Sequence, residues 1–190
     1  MKLVLASTSR PRRELLSRLG LPFSVAPHRV DERAAHARYT SPDALALGLS
    51  REKAESLRAV YPDSWILGSD QVVDLDGEAL GKPGKQAAEQ LARLSGRTHR
   101  LLTGVALAGP DGSMAAALDV HVMTMRALSS EEITRYIAMD DPAECAGAYK
   151  IEALGIALFS KIEGADFTAI PGLPLLTVLA MLRAAGIAIP

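Results

Sequence analysis

Cysteine is nearly absent from the chain, because Cys145 is the only one among 190 residues. A lone cysteine excludes an intrachain disulfide and a cysteine-based zinc site, and it is typical of a reducing compartment. We interpret Cys145 as a small apolar side chain rather than a nucleophile. His28, His36, His99 and His121 show no metal-ligand spacing, so a structural zinc site is not expected either.

An excess of charge of one sign is also lacking. Lys and Arg total 21 against 22 Asp and Glu, and the net charge is −1. A protein that binds nucleic acid needs a broad basic surface to displace counterions. Aromatic residues make up only 4% of the chain, too few for a base-stacking platform. We expect no nucleic-acid partner.

Long apolar runs are missing as well. The run before Ser7 is too short for the apolar region of a signal peptide. Residues 170–189 are apolar, but Pro171, Pro174 and Arg183 interrupt them, which favours a buried amphipathic helix over a membrane span. We therefore expect a cytoplasmic protein without a membrane partner.

The residues that are present predict an α/β fold. At 48% hydrophobic, 190 residues can form a single domain, residues 1–190, folded as two lobes around a cleft. The patterns predict strands at residues 2–6, 65–73, 101–108, 114–125 and 156–159, and helices at about 10–19, 41–60, 84–94, 129–137 and 173–185. Because strands and helices alternate, we expect a mixed sheet with flanking helices.

The first group of residues that could carry chemistry is the segment from Ser7 to Arg13. A turn of small residues after a strand, followed by a helix, exposes backbone N–H groups to an anion. Arg10, Arg12 and Arg13 oppose the helix dipole unless something negative binds among them. The segment favours phosphate binding, and the alternative is a solvated basic helix start.

The second group is the segment Gly68-Ser69-Asp70-Gln71, where an acid follows a buried strand. Ligands of α/β folds bind at the carboxyl ends of strands. Asp70 there could hold a metal or take a proton from water, and the alternative is a turn carboxylate that caps nearby backbone.

Further charged residues could join the same chemistry. Lys53, Lys82 and Glu32 supply lysines for phosphate oxygens and a carboxylate for a hard cation, and Glu152 lies in a glycine-containing loop with Lys150. Taken singly, each of these lysines is usually a surface residue. Together with the arginines, these residues supply the positive charges and carboxylates that enzymes use to cleave a phosphoanhydride.

These segments, in this order, resemble the Maf-like nucleoside triphosphate pyrophosphatases. The matching pieces are Ser7-Thr8-Ser9, Arg12-Arg13, Leu15-Leu16, Val30-Asp31-Glu32, Glu52-Lys53-Ala54, Gly68-Ser69-Asp70-Gln71-Val72, Gly81-Lys82-Pro83, Ser95-Gly96 and Thr103-Gly104. Gln71 in place of threonine resembles the branch that acts on 7-methyl-GTP rather than dTTP and UTP. Cys145-Ala146-Gly147, Lys150, Glu152 and Gly172-Leu173-Pro174-Leu175 resemble that branch too.

The resemblance implies an inosine-triphosphatase-like fold with an elongated mixed sheet, usually as a homodimer. It implies hydrolysis of a nucleoside triphosphate to monophosphate and pyrophosphate with a divalent cation, Mg²⁺ or Mn²⁺. By the same resemblance Asp70 is the general base, Asp70 and Glu32 are metal ligands, and the substrate-binding residues are Ser7, Arg12, Arg13, Lys53 and Lys82. Pro11, Gln71 and Glu152 lie at positions that select the base.

One position departs from the family pattern. Pro11 stands where the 7-methyl-GTP branch often has an aromatic residue, so a stacking contact to the cationic base is lost. Two alternatives stay open. The first is a dTTP or UTP pyrophosphatase, and the second is a regulator of septum formation that binds nucleotide without turnover.

Overall fold

The computed structural model describes residues 2–189, apart from the side chain of residue 36. Within these residues, seven strands form one sheet. They are β1 (Leu3–Ala6), β2 (Ser24–Ala26), β3 (Trp65–Leu75), β4 (Glu78–Leu80), β5 (Thr98–Ala108), β6 (Met114–Met125) and β7 (Phe159–Glu163). The strand order is β2-β1-β3-β5-β6-β7, with β4 paired to β3. β1 is parallel to both β2 and β3, whereas β4 and β7 are antiparallel to their partners, so the sheet is mixed.

Six α-helices and several short 3-10 turns connect the strands over the same residues. The helices are α1 (Arg10–Ser17), α2 (Glu32–His36), α3 (Pro42–Glu55), α4 (Ala87–Leu94), α5 (Ser130–Asp140) and α6 (Leu175–Ala184). The predicted mixed α/β sheet with flanking helices is confirmed. None of these helices is long and apolar enough to cross a membrane.

The chain divides into two compact units. The first unit contains the described residues of Met1–Asp70, Thr103–Asp119 and Asp166–Pro190, and the second contains Gln71–Leu102 and Val120–Ala165. The predicted single domain with a cleft between two lobes stays a prediction.

The first unit has an apolar cluster on each face of its strands. Because successive side chains of a strand point to opposite faces, Leu3 and Leu5 of β1 join one cluster and Val4 and Ala6 join the other. The first cluster contains apolar residues of α1 and α6, and the second contains residues of α3 and the turn after it. The unit is therefore a helix–sheet–helix sandwich.

The second unit packs α4 against α5 and contains a buried aromatic group. Tyr149 lies edge-on to Phe159, with ring centroids 4.8 Å apart. The buried His99 ring lies beside both aromatic rings, and its Nε2 lies 3.1 Å from the Tyr149 hydroxyl. A capping box formed by Ser129 and Glu132 is present at the start of α5.

Two predicted elements differ from the structure. The strand predicted at residues 156–159 is wrong, because Leu154–Leu158 form a 3-10 helix and β7 begins at Phe159. Ile156 is 49% exposed, so this apolar run is not a buried strand. The helix predicted to reach Val60 ends at Glu55, and turns with hydrogen bonds between residues three apart continue the chain.

Candidate active site

Helix α3 lies unusually close to strands β3 and β5, and glycines permit the approach. A Cβ atom at Gly68 would lie 2.2 Å from the carbonyl oxygen of Ser50. A Cβ atom at Gly104 would lie 2.2 Å from the carbonyl oxygen of Ala46, one helical turn earlier. Only glycine fits at either position without moving the helix backbone.

This approach brings Lys53 of α3 against Asp70 of β3. Asp70 lies two residues beyond Gly68, so its side chain points to the same face of the strand, toward α3. Lys53 Nζ lies 2.6 Å from Asp70 Oδ1, and the two residues are 3% and 7% exposed. Lys53 is therefore not a surface lysine. It forms a buried ion pair with Asp70, so the structure brings together two of the predicted site residues.

The same ammonium also binds Glu32. Lys53 Nζ lies 2.6 Å from Glu32 Oε1, so one lysine bridges two carboxylates. Glu32 is the first residue of α2, a helix whose N-cap Asp31 accepts hydrogen bonds from the backbone of Arg33 and Ala34. This cap sets the start of the helix and therefore the place from which Glu32 reaches Lys53.

A hydrogen bond from a neighbouring histidine affects the charge on Glu32. His28 Nε2 lies 3.2 Å from Glu32 Oε1. Hydrogen bonds from His28 first and Lys53 second hold the pKa of Glu32 well below its usual range, against partial burial, which raises it. Glu32 is therefore ionised across the physiological pH range.

Arg12 completes the charge balance of the first unit's site. Burial lowers the pKa of the Arg12 guanidinium, and the negative charges of Asp70 and Glu32 act in the opposite direction. The two cations, Arg12 and Lys53, match the two carboxylates. The charges of these four side chains therefore cancel.

The carbonyl of Gly172 holds Arg12 in place. It accepts hydrogen bonds from Arg12 Nε and from the buried Ser69 hydroxyl, each at 2.9 Å. Gly172 has a φ of +118°, and a Cβ atom there would lie 3.2 Å from Arg12 Nε. Glycine at this position thus permits both the backbone conformation and the close contact.

The start of α1 follows the predicted turn. Ser7 is buried, and its Oγ accepts a hydrogen bond of 3.1 Å from the Ser9 backbone N–H. Ser9 is the N-cap but makes no side-chain cap bond, and the first turn contains no acid. Pro11 has no N–H, so one donor of the helix start is missing. Arg13 is exposed to solvent.

The remaining predicted site residues belong to the second unit. Gln71 is half-buried on β3, while Lys82 and Glu152 are exposed. Lys82 Nζ lies 3.6 Å from Glu144 Oε2, a loose surface pair. Burial raises the pKa of the half-buried Cys145 thiol, and the charge of Glu152 adds to this effect, so the thiol is a poor nucleophile.

Three residues of the site had no predicted role. His28 gave no signal beyond its position four residues before Glu32. Ser69 and Gly172 were part of matched segments, but their hydrogen bond joins residues 103 positions apart, which local sequence does not reveal.

A comparison with known protein families identifies the family of this chain. A protein-family profile described as "Maf-like protein" matches residues 2–185. The chain belongs to the Maf-like family. The predicted family membership is thus confirmed over almost the whole chain.

Two relatives of this Maf-like chain are 7-methyl-GTP pyrophosphatases. A 7-methyl-GTP pyrophosphatase of Xanthomonas campestris pv. campestris (strain 8004) is 51% identical over 191 residues, covering 100% of this chain and 98% of the relative. A 7-methyl-GTP pyrophosphatase of Bdellovibrio bacteriovorus is 44% identical and covers 92% of both chains. The predicted similarity to this branch is confirmed.

A solved structure is also similar to the Maf-like chain. It is a nucleoside-triphosphatase, or dITP/XTP pyrophosphatase, from Mycobacterium abscessus, with 15% identity and a TM-score of 0.48. The match covers 98% of this chain and 95% of that one.

Proposed function

We propose that this Maf-like chain is a nucleoside triphosphate pyrophosphatase that hydrolyses 7-methyl-GTP to 7-methyl-GMP and pyrophosphate. Full-length relatives at 51% and 44% identity with the name 7-methyl-GTP pyrophosphatase support the substrate. The observation that carries the reaction type is the group of charges in which the buried Lys53 bridges the buried Asp70 and the partly exposed Glu32, with the half-buried Arg12 nearby. A purely structural role does not need so many charges close together in a partly desolvated place.

Asp70 acts as the general base in this proposal. Its carboxylate takes a proton from a water molecule, whose oxygen attacks the α-phosphorus. The bond between the α-phosphorus and the bridging oxygen breaks, and pyrophosphate leaves with the electron pair. Lys53 holds Asp70 Oδ1 at 2.6 Å, so the carboxylate is oriented before the nucleotide binds.

Arg12 and Arg13 bind the phosphate oxygens. Among the described residues, Arg12 donates a hydrogen bond to Gly172 through Nε. The two terminal amino groups of the Arg12 guanidinium are therefore available to an anion. Arg13 is exposed one residue further along α1. Ser7 adds a hydroxyl donor at the preceding turn, and Lys82 of the second unit supplies a further cation. Guanidinium groups suit this task because their donors match phosphate oxygens in pairs.

We propose Mg²⁺ or Mn²⁺ as the divalent cation, which Asp70 and Glu32 would hold through the carboxylate oxygens that do not face Lys53. No group of three or more His, Cys, Asp or Glu side chains among the described residues could hold a metal by itself. Magnesium in nucleotide enzymes is typically bound by one or two carboxylates together with substrate phosphates, which Asp70 and Glu32 match. Such an ion would supply positive charge to the phosphate oxygens.

Gln71 and Glu152 select the base in this proposal. A carboxylate facing N1–H and the exocyclic amine, with an amide near O6, complements the guanine edge. Pro11 contributes no aromatic face, so base selection relies on these two polar side chains. We further propose that the protein is cytoplasmic and that it forms a homodimer. Sedimentation of the purified chain tests the homodimer directly.

A panel of nucleotides tests the function. Purified protein with Mg²⁺ or Mn²⁺ is incubated with 7-methyl-GTP, GTP, dTTP and UTP, and the products are separated. The proposal expects monophosphate and pyrophosphate, formed fastest from 7-methyl-GTP. Nucleoside diphosphate and orthophosphate would mean cleavage of the wrong bond. A faster pyrimidine substrate would support the dTTP/UTP alternative, and binding without turnover would support a regulator.

A further inference from the structure

His28 is a polar residue of the first unit that the reaction described above does not use. It follows β2, is half-buried, and has a contact at each ring nitrogen. The Val30 backbone N–H lies 3.3 Å from Nδ1, and Glu32 Oε1 lies 3.2 Å from Nε2. The ring is therefore held between its own loop and a carboxylate of the site.

These two contacts define the form of the ring. Nδ1 accepts a hydrogen bond from Val30, so Nδ1 carries no proton. A neutral imidazole with an unprotonated Nδ1 carries its proton on Nε2. Nε2 therefore donates to Glu32 Oε1 while the ring is uncharged.

Glu32 needs such a partner because of where it lies. Its helix α2 has only five residues, and a helix this short has little stability of its own. The Glu32 side chain is 39% exposed, so burial alone does not fix its rotamer. Its Oε1 accepts from both His28 Nε2 and Lys53 Nζ, which aims this oxygen at the lysine.

We infer that His28 is a positioning residue, whose neutral ring fixes Glu32 so that Lys53 in turn holds Asp70 for reaction. The relay runs from the Val30 backbone through His28, Glu32 and Lys53 to Asp70, through contacts of 3.3, 3.2, 2.6 and 2.6 Å. This inference rests on the proposed function, because the effect of the relay is on turnover. It assigns the histidine no contact with the nucleotide.

Two substitutions separate positioning from loop stability. In His28→Gln the amide nitrogen can reach the place of ring Nε2 and donate to Glu32, whereas in His28→Asn it is one methylene too short. We expect His28→Asn to lower kcat roughly 10-fold with an unchanged KM, the usual scale for residues that orient a site carboxylate. His28→Gln should keep most of the wild-type kcat.

Arg29→Gln is the matched control, because it changes an exposed side chain next to His28 that has no contact with Glu32. It should leave kcat unchanged, and all three variants should melt near the wild-type temperature. Equal loss in His28→Gln and His28→Asn, or wild-type kcat in both, would overturn the inference. A kcat loss that follows the melting temperature would overturn it as well.

A second readout does not depend on activity. Nuclear magnetic resonance of ring nitrogens distinguishes a protonated from an unprotonated nitrogen, and the signal lost in His28→Gln identifies His28. We expect a protonated Nε2 whose resonance shifts in Glu32→Gln, together with an unprotonated Nδ1. A protonated Nδ1, or no shift, would refute the contact. A wild type without turnover would instead refute the proposed function, and with it any effect on kcat.

Discussion

The carbonyl oxygen of Ser50 lies where a side chain at Gly68 would have to begin, 2.2 Å from the position of a Cβ atom. This close approach of α3 to β3 is what allows Lys53 to reach Asp70 two residues along the strand. The ion pair at the centre of the site therefore depends on a residue that has no side chain.

Gly68→Ala tests this dependence. The added methyl group forces the backbones of α3 and β3 apart. We therefore expect a loss of about 3 kcal/mol in the free energy of unfolding. Gly112→Ala is the control, since its Cβ has open space and only its φ of +84° is strained. That strain costs about 1 kcal/mol. Urea denaturation measures the free energy of unfolding of both variants. Equal losses in Gly68→Ala and Gly112→Ala would show that the packing of α3 does not need glycine at position 68.

Lys53→Met removes the cation between two carboxylates. Because Lys53 is 3% exposed, we expect the substitution to lower the free energy of unfolding by about 3 kcal/mol. The double variant Lys53→Met with Asp70→Asn removes one charge of each sign, so it should regain part of this stability. Additive losses in the double-mutant cycle would contradict a direct ion pair.

Local sequence patterns were sufficient for the elements that have their own end signals. Ser41 and the Ser129–Glu132 capping box mark the starts of α3 and α5, where the structure has them. Helix α2 escaped prediction because five residues show no helical periodicity, although its N-cap Asp31 was a signal.

The site was predictable in its residue types but not in its geometry. Asp70 was expected directly after a buried strand, which pointed to the site, although the structure places it within β3. Lys53 looked like an ordinary surface lysine. Its burial follows from the two glycines beneath α3, and this is a property of packing between distant segments. Gly172 acts through contacts with residues far away in the sequence, which no local pattern encodes, whereas His28 was signalled only by its position four residues before Glu32.

His99 predicts a pH dependence of stability in the second unit. Burial lowers the pKa of His99 to about 4, below the value of about 6.5 in an unfolded chain. The unfolded chain therefore takes up the proton first as the pH falls, and stability is lost between about pH 6.5 and pH 4. The loss amounts to about 3 kcal/mol.

His99→Phe should lose much less stability over this pH range, because it has no group that titrates there. Tyr149→Phe is its control, since it removes the same hydrogen bond but keeps the imidazole. Chemical denaturation at several pH values gives the slope of the free energy of unfolding against pH for each variant. An unchanged slope in His99→Phe would show that another group causes the acid sensitivity.

Glu152→Ala tests base selection. If the carboxylate binds the guanine edge, the variant should lower kcat/KM for 7-methyl-GTP by roughly 10²-fold or more and change dTTP and UTP little. Glu89→Ala is the matched control, because it removes another exposed carboxylate of the second unit. Equal loss on all three nucleotides in Glu152→Ala would remove Glu152 from base recognition.

The most direct test is the turnover of 7-methyl-GTP by the wild type and Asp70→Asn in water labelled with heavy oxygen. The proposed mechanism predicts monophosphate and pyrophosphate from the wild type, with the label in the monophosphate because water attacks the α-phosphorus. Asp70→Asn, which is nearly isosteric and should stay folded, is expected to lose about 10²-fold or more in kcat. Label in the pyrophosphate, release of orthophosphate, or an Asp70→Asn variant as fast as the wild type would contradict the assignment of Asp70 as the base for attack at the α-phosphorus.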